Sequence, residues 1–521
     1  MPILFFRKIF KKMFYIRMLG HMDVKEYKDK IDSIGFERTW NEIIESHKKG
    51  TPSVPLEFFG EYYEIGLAHI NKEEKKKLGI YYTPDDVANL LASFEEEMEY
   101  DTVADVGCGT GNLILAFLES IGEEKARKLL KENKIYLYDQ DYLALNICVS
   151  CIEIKYGTRG VNCICGDFLK KSVFLPENCL AISNPPYSSI KELGNEWDIT
   201  ENVKKSKELY SIFMEKIIKQ SKNAIIITPF SFIGGTQYYP LRKFLNSYGG
   251  EIFAFDNVPS SIFNRKKHGI FNTNTSNSVR TAITVVNQKD KGKGFKVSPL
   301  LRFNAEEREK ILKKNVLRNY TCNTYQKVNE EETQYVKCFK SLYPIYETYM
   351  QKSNKCFSDL VSQNETPYSM TIASSGRYYL GGAKKDLDRA GKYKFYFKDE
   401  KEYYFAYAFI NSSFAYFYWR IFDGNILYPK SLLNDSKVFI EAVSEEIYLK
   451  IKDIVKEMEK EETNYLSYKK NAGKMQENVK FPKKYRDKLN RLLLDALEID
   501  TDEKVFDIVH SPKLFDTKKD S

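Results

Sequence analysis

Apolar positions recur at two periods along the chain, and the change of period marks its parts. From Val24 to about Lys77 a charged sequence carries apolar residues at helical spacing, among them Ile43, Ile44, Tyr62, Ile65 and Leu67. This predicts a small helical leader running into Gly79-Ile-Tyr-Tyr-Thr-Pro84. Thr83 and Pro84 then introduce a helix over Asp85–Phe94. Short β-rich runs follow at regular intervals. Thr102–Val106 enters a glycine turn, and Leu113–Leu118 opens the next helix. Ile135–Tyr138 ends in Asp139, and Val161–Cys165 precedes Gly166-Asp167-Phe168. Leu180–Ser183 runs into Asn184, and Ala224–Ile227 ends in Thr228-Pro229. Strands that end in polar or glycine-rich residues, with helices between them, predict an α/β Rossmann-like domain with its ligand site at the carboxyl edge of a parallel sheet. Val279–Val286 is a further strand able to close that sheet.

Beyond about Lys310 the alternation stops. Short aromatic segments and an Asn411-Ser-Ser413 turn predict a mixed domain to about residue 445, and from Glu446 the pattern is helical. The expected organisation is an N-terminal extension and helical leader over 1–77, a nucleotide-binding α/β domain over 78–312, a mixed domain over 313–445 and a helical, basic region over 446–521.

With 521 residues, 43% of them hydrophobic, and 34 Phe and 37 Tyr, the chain has material for real cores and two or three domains. A net charge of +8 is mild, so a polyanion would have to meet local patches. Two such patches stand out. One is Arg377, Lys384, Lys385, Arg389 and Lys394; the other is the Lys/Arg-rich stretch from Lys469 to Arg491. The basic, apolar start, Met1–Met13, is too short and too interrupted to span a bilayer and carries no cleavage signature. A cytoplasmic protein without membrane association is expected. Cys148, Cys151, Cys163 and Cys165 have suggestive spacing, but two fall on a predicted helix and two on a predicted strand. They read as buried free thiols, with no metal site.

The chemistry concentrates in two motifs. In Gly107-x-Gly109-x-Gly111, absent side chains let a tight turn approach a nucleoside ligand. Asp139 could accept both ribose hydroxyls of either a dinucleotide or S-adenosylmethionine, and Asp167 could accept an adenine amino group with Phe168 against the ring. In Asn184-Pro185-Pro186-Tyr187, the Asn184 side-chain oxygen and the Pro185 carbonyl can accept both N–H bonds of a planar amino group. Those acceptors would bind more strongly as the nitrogen gains positive character during alkylation. Tyr187 can stack on the ring that carries it. A dehydrogenase leaves this tetrad unexplained.

The succession resembles the class I S-adenosylmethionine-dependent methyltransferases. The resemblance places Tyr82, Thr83, Pro84, Asp105 and the glycines of the turn at the methionine end of the cofactor, Asp139 at the ribose, and Asp167 and Phe168 at adenine. Because Thr83-Pro84 precedes the glycine turn, the order of elements over residues 78–290 is similar to the gamma group of DNA adenine-N6 methyltransferases, the TaqI-like and Eco57I-like enzymes. Thr228-Pro229-x-Ser231-Phe232 and Leu241-Arg242-x-x-Leu245 add to this, with Arg242 structural or phosphate-facing.

The resemblance implies direct methyl transfer to a flipped adenine in double-stranded DNA. Phe263, preferred to Phe271, would cover the second face of the base. It also implies a target-recognition role for 313–445, where Phe409-Ile-Asn-Ser-Ser413 and Phe414–Tyr418 resemble a recognition-domain helix. Ser412 is expected to be structural. No nuclease-like carboxylate cluster is legible, which leaves a separate restriction endonuclease as a partner of an otherwise monomeric enzyme. RNA adenines and protein glutamines are the alternative acceptors, since both present the same amino geometry.

Overall fold

The computed structural model describes residues 21–70, 83–190, 196–263, 279–424, 427–471 and 473–515. The chain forms two compact units. The first comprises Met1–Val297, Phe303–Arg318 and Thr324–Tyr335; the second comprises Ser298–Arg302, Asn319–Asn323 and Val336–Ser521.

The first unit is built on a sheet of order β3-β2-β1-β4-β5-β7-β6-β8. Its strands are β1 (Thr102–Val106), β2 (Ile135–Asp139), β3 (Val161–Cys165), β4 (Cys179–Ser183), β5 (Asn223–Pro229), β6 (Gly249–Phe255), β7 (Thr281–Val286) and β8 (Gly294–Leu301). The five strands from β3 to β5 are parallel. Strand β7 is antiparallel to both β5 and β6. The α/β class I methyltransferase expectation is therefore met, with one correction. The strand expected to close the sheet lies inside it, between β5 and β6, where all of its residues are buried.

Register explains the shared edge. Val106 pairs with Tyr138 and with Ser183, Asp139 with Cys165, and Ser183 with Ile226. The polar residues that follow each strand consequently emerge side by side.

The leader folds as α1 (Val24–Ile34), α2 (Phe36–Lys48) and α3 (Phe59–Ile70). A reciprocal capping box between Asp23 and Glu26 starts α1. Tyr27, Trp40, Phe59 and Tyr62 make a buried aromatic cluster that packs against Ala144, Ile147 and Cys151 of α4 (Tyr142–Tyr156). Of the residues picked out for helical spacing, Ile43, Ile44, Tyr62 and Ile65 are buried, and Leu67 packs partly buried on the same cluster. The thiol expectation needs amendment. All four cysteines are free and Cys148 and Cys151 are buried, but Cys163 and Cys165 are exposed, because β3 is the edge strand. Among the described residues, no helix is long and apolar enough to cross a membrane, and no cluster of His, Cys, Asp and Glu is arranged to hold a metal ion.

In the second unit, α5 (Glu400–Asn411) and α6 (Phe414–Phe422) are almost wholly buried. The Asn411-Ser-Ser413 link is a structural knot. Asn411 bonds both the N–H and the carbonyl of Gly382 at 3.1 Å. Ser412 caps back onto the Phe409 carbonyl at 2.8 Å, and Ser413 is held by Asn490 and His510. The stretch from Glu446 is not uniformly helical: a β-hairpin, Leu466–Asn471 with Lys474–Val479, separates helices Glu445–Glu461 and Lys483–Ala496.

His510 is buried, stacked on Tyr416 with ring centroids 4.9 Å apart. Burial pushes its pKa down to about 3. A histidine depressed in the fold stabilises it above the unfolded pKa, and that contribution drains away as pH falls from about 6.5 toward 3. Chemical denaturation of the wild type should therefore show a stability slope of about 1.4 kcal/mol per pH unit in this window beyond the slope of a His510→Gln variant. Equal slopes would contradict the assignment.

Candidate cofactor and methyl-acceptor site

The glycine turn leaves β1 anchored to its neighbour, with the N–H groups of Gly107 and Cys108 both donating to the Tyr138 carbonyl at 2.8 and 3.1 Å. Gly111 has φ of +96°, and a Cβ there would lie 2.6 Å from Cys148 Sγ. Both conformation and space therefore require glycine. Gly111→Ala should destabilise the first unit by about 3 kcal/mol, combining left-handed strain with overpacking. Thermal unfolding checks this, and an unchanged midpoint would refute it.

The turn opens onto a cavity of about 400 Å³, within the size range of a nucleoside-cofactor pocket. Gly107, Gly109, Asp139, Asp167, Phe168 and Asn184 all line it, with Thr83 and Pro186. Residues separated by a hundred positions thus share one wall. Asp105 lies behind it, fully buried. Its Oδ2 accepts from the Ile114 N–H at 3.1 Å, its Oδ1 has no hydrogen-bond partner among the described residues, and burial raises its pKa to about 8. Asp139 is fixed by Gly109 N–H and Asp141 N–H, each at 2.8 Å. Asp167 accepts from Leu169 N–H at 2.9 Å and from the Trp197 indole at 2.7 Å. Phe168 stacks on Phe213 at 5.6 Å and meets Tyr138 edge-on.

The charged side chains of this lining are of one sign. It carries Glu64, Asp139, Asp141 and Asp167, and no Lys, Arg or His among the described residues. An acidic surround of this kind complements the positive charge of a sulfonium cofactor.

Asn184 donates through Nδ2 to Thr83 Oγ1 at 3.0 Å, and its side-chain oxygen is buried. Pro185 is buried, and Pro186 and Tyr187 are half-buried. Tyr187 donates its hydroxyl to the Ile227 carbonyl at 3.1 Å and meets Phe263 edge-on, with centroids 5.9 Å apart. Two rings clasping a flat base stand roughly 7 Å apart, so admission of a base between them requires this pair to separate. Tyr82 and Phe271 lie outside the described residues, as does the segment 1–20.

Several features escaped the sequence. Gly60, Tyr63 and Glu64 of α3 line the cavity, as do Asp141 and Trp197. Asp141 stands immediately beyond β2, a position that could have been noticed; the others carry no local signal. Arg242 is wholly buried, bonding the carbonyls of Gly235 and Thr333 at 2.9 and 2.8 Å, so it is structural and faces no phosphate. The patch around Arg377 is also less cationic than its sequence. Arg389 is buried against Ser375 and Gly391, and Lys384 and Lys385 pair with Glu459 and Glu477. Cys108 is buried, and a hydrogen bond with Cys148 and burial push its thiol well above the ordinary value.

Sheet order, glycine turn and acid-lined cavity together define a class I S-adenosylmethionine-dependent methyltransferase. The model of the N-6 DNA methylase family matches residues 56–352, more than half of the chain. The chain belongs to that family, and S-adenosyl-L-methionine is its cofactor. It is similar to the methylase subunit of the type I restriction enzyme MpnII of Mycoplasma pneumoniae, with 27% identity over 145 residues, covering 26% of each chain. The chain thus spans about a quarter of the length of that curated relative. Similar solved structures include a DrdV–DNA complex (15% identity, TM-score 0.41, 57% of this chain and 36% of the other). Another is a modification subunit of a type I restriction enzyme from Vibrio vulnificus (11% identity, TM-score 0.35, 60% and 63%).

Proposed function

We propose that this chain is a sequence-specific DNA adenine-N6 methyltransferase of the gamma group, acting as the modification component of a system whose nuclease is a separate protein. The observation that carries the reading is the common wall shared by Asn184, Pro186, Asp139 and the glycine turn. It brings an amino-group acceptor to the cofactor cavity. Thr83 supports it by holding the Asn184 carboxamide at this wall through a hydrogen bond of 3.0 Å.

In this proposal the bound cofactor supplies an electrophilic methyl group. Asn184 Oδ1 and the Pro185 carbonyl accept the two N–H bonds of the target amine and strengthen their hold as charge develops on nitrogen. The surplus proton leaves to water. Tyr187 stacks on the extruded base, with Phe263 on its other face once the two rings part, offsetting a flipping cost of a few kcal/mol. Asp139 takes the ribose; Asp167 and Phe168 take the cofactor adenine; Tyr82, Thr83, Pro84 and Asp105 serve the methionine end. Target recognition is assigned to 313–445, with 446–521 as a backbone clamp, through Lys469 and Lys470 on the exposed hairpin.

Labelled methyl incorporation into DNA, RNA and protein tests the acceptor. Incorporation into duplex DNA, with N6-methyladenine at one short motif in expressing cells, is the expected result. Label confined to RNA or to glutamine in protein would overturn it.

A further inference from the structure

The acceptor motif and the sheet edge account for only part of the cavity wall, and the remainder comes from the leader. Helix α3 contributes Gly60, Tyr63 and Glu64 to the lining. The Tyr63 hydroxyl donates to Asp141 Oδ2. The other oxygen of that carboxylate caps α4, accepting from Leu143 and Ala144 N–H at 3.0 and 3.1 Å. The N–H of the same residue donates to Asp139 at 2.8 Å. A leader tyrosine thereby fixes the turn that presents Asp139.

Glu64 lies one helical turn beyond Gly60, so the two share a face. Gly60 also borders a second cavity of about 220 Å³, lined by Asp85, Thr110 and Asn112. Asn112 in turn holds the Thr83 carbonyl and Asp85 at 3.3 and 3.2 Å. This face of α3 therefore looks onto the corner between Thr83 and the start of the helix after the glycine turn. Among the described lining residues, Asp139, Asp141 and Asp167 stand at the ends of β2 and β3, whereas Glu64 is the carboxylate that α3 adds from outside the sheet.

We infer that α3 is a working wall of the cofactor site, in which Glu64 is the counter-ion for the α-ammonium of the cofactor's amino-acid end and Tyr63 is a positioning residue for the ribose acceptor Asp139. The inference rests on the cofactor assignment and goes beyond it by giving the leader a binding role. A leader that served only as packing would bury its aromatic cluster without lining the cavity with a carboxylate.

Titration calorimetry on the full chain with two ligands tests it. S-adenosylhomocysteine carries the α-ammonium; 5′-methylthioadenosine keeps the ribose and adenine but lacks the amino-acid end. Glu64→Gln should weaken S-adenosylhomocysteine about ten-fold, the loss of one charged hydrogen bond, and leave 5′-methylthioadenosine within about two-fold. Glu64→Asp, which keeps the charge, should recover part of that loss. Tyr63→Phe should weaken both ligands alike, by about three- to ten-fold, because both present the ribose. Unchanged thermal midpoints establish that each variant is folded. Equal affinity of Glu64→Gln and wild type for S-adenosylhomocysteine would overturn the counter-ion role, as would equal weakening of both ligands. Unaltered binding by Tyr63→Phe would overturn the positioning role. A wild type that bound neither ligand would instead overturn the cofactor assignment, and this inference with it.

Discussion

Asn184→Ala is expected to lower methyl transfer by about 10²–10³-fold, the loss that follows removal of one group aimed at developing charge. The effect should fall on the chemical step. The carboxamide is held by Thr83 at 3.0 Å and lines the cofactor cavity, so the group is in place before any amine arrives. Binding of S-adenosylhomocysteine should change by no more than a few-fold, since the glycine turn and Asp139 are untouched. Single-turnover methylation of a duplex, measured beside ligand calorimetry, separates the two. Full activity in this variant would remove the basis of the proposed chemistry. Loss of cofactor binding in step with activity would recast Asn184 as a cofactor ligand.

Arg308→Met is expected to destabilise the first unit strongly although it lies outside the cavity. Arg308 is 3% exposed and joins two segments distant in sequence. Its Nε and one terminal nitrogen donate to Asp86 at 2.6 and 2.8 Å, and its terminal nitrogens also reach the carbonyls of Ser261 and Ile262 at 3.1 and 2.7 Å. Methionine fills the volume but strands a carboxylate and two carbonyls, at a cost of about 3 kcal/mol. Asp86 is partly exposed, which holds the figure at the low end of what breaking a buried pair costs. Urea denaturation measures it. The double replacement Arg308→Met with Asp86→Leu should recover part of the loss, because no charge is then left unpaired. If the single and double variants are equally destabilised, the cost lies in packing and not in the ion pair. Because one end of this strap follows Thr83-Pro84 and the other precedes Phe263, methylation of duplex DNA should fall in the single variant even where it remains folded.

Much of this was legible because it is written locally. Each strand of the parallel half announces itself as a short apolar run, and four of the five lead into residues whose chemistry is conspicuous: the glycine turn, Asp139, Asp167 and Asn184. Parallel pairing then forces those ends to one edge, so the order of motifs implies their proximity. What stayed hidden depends on partners remote in sequence. Tyr63 and Glu64 sit in a helix whose apolar spacing reads only as packing. The position of β7 between β5 and β6 is a matter of topology, which the run Val279–Val286 does not encode. A stretch rich in Lys and Arg says nothing of the carboxylates that neutralise it. Lys385 meets Glu477 and Lys384 meets Glu459, each from far along the chain. Within Lys469–Arg491 the helical half is similarly engaged, Lys483 and Arg486 by Asp507 and Arg491 by Asp495. Lys469 and Lys470 remain exposed on a hairpin that helical expectation had overlooked.

Strands β6 and β7 pair with Phe255 opposite Thr281, so the chain leaves and re-enters the sheet at neighbouring points. The strand pairing does not depend on how many residues separate these two points, and added length raises the cost of closure only logarithmically. Phe263 lies in sequence between them. Relatives could therefore enlarge or exchange this stretch, and with it whatever it presents to a substrate, while the catalytic scaffold beneath stays the same.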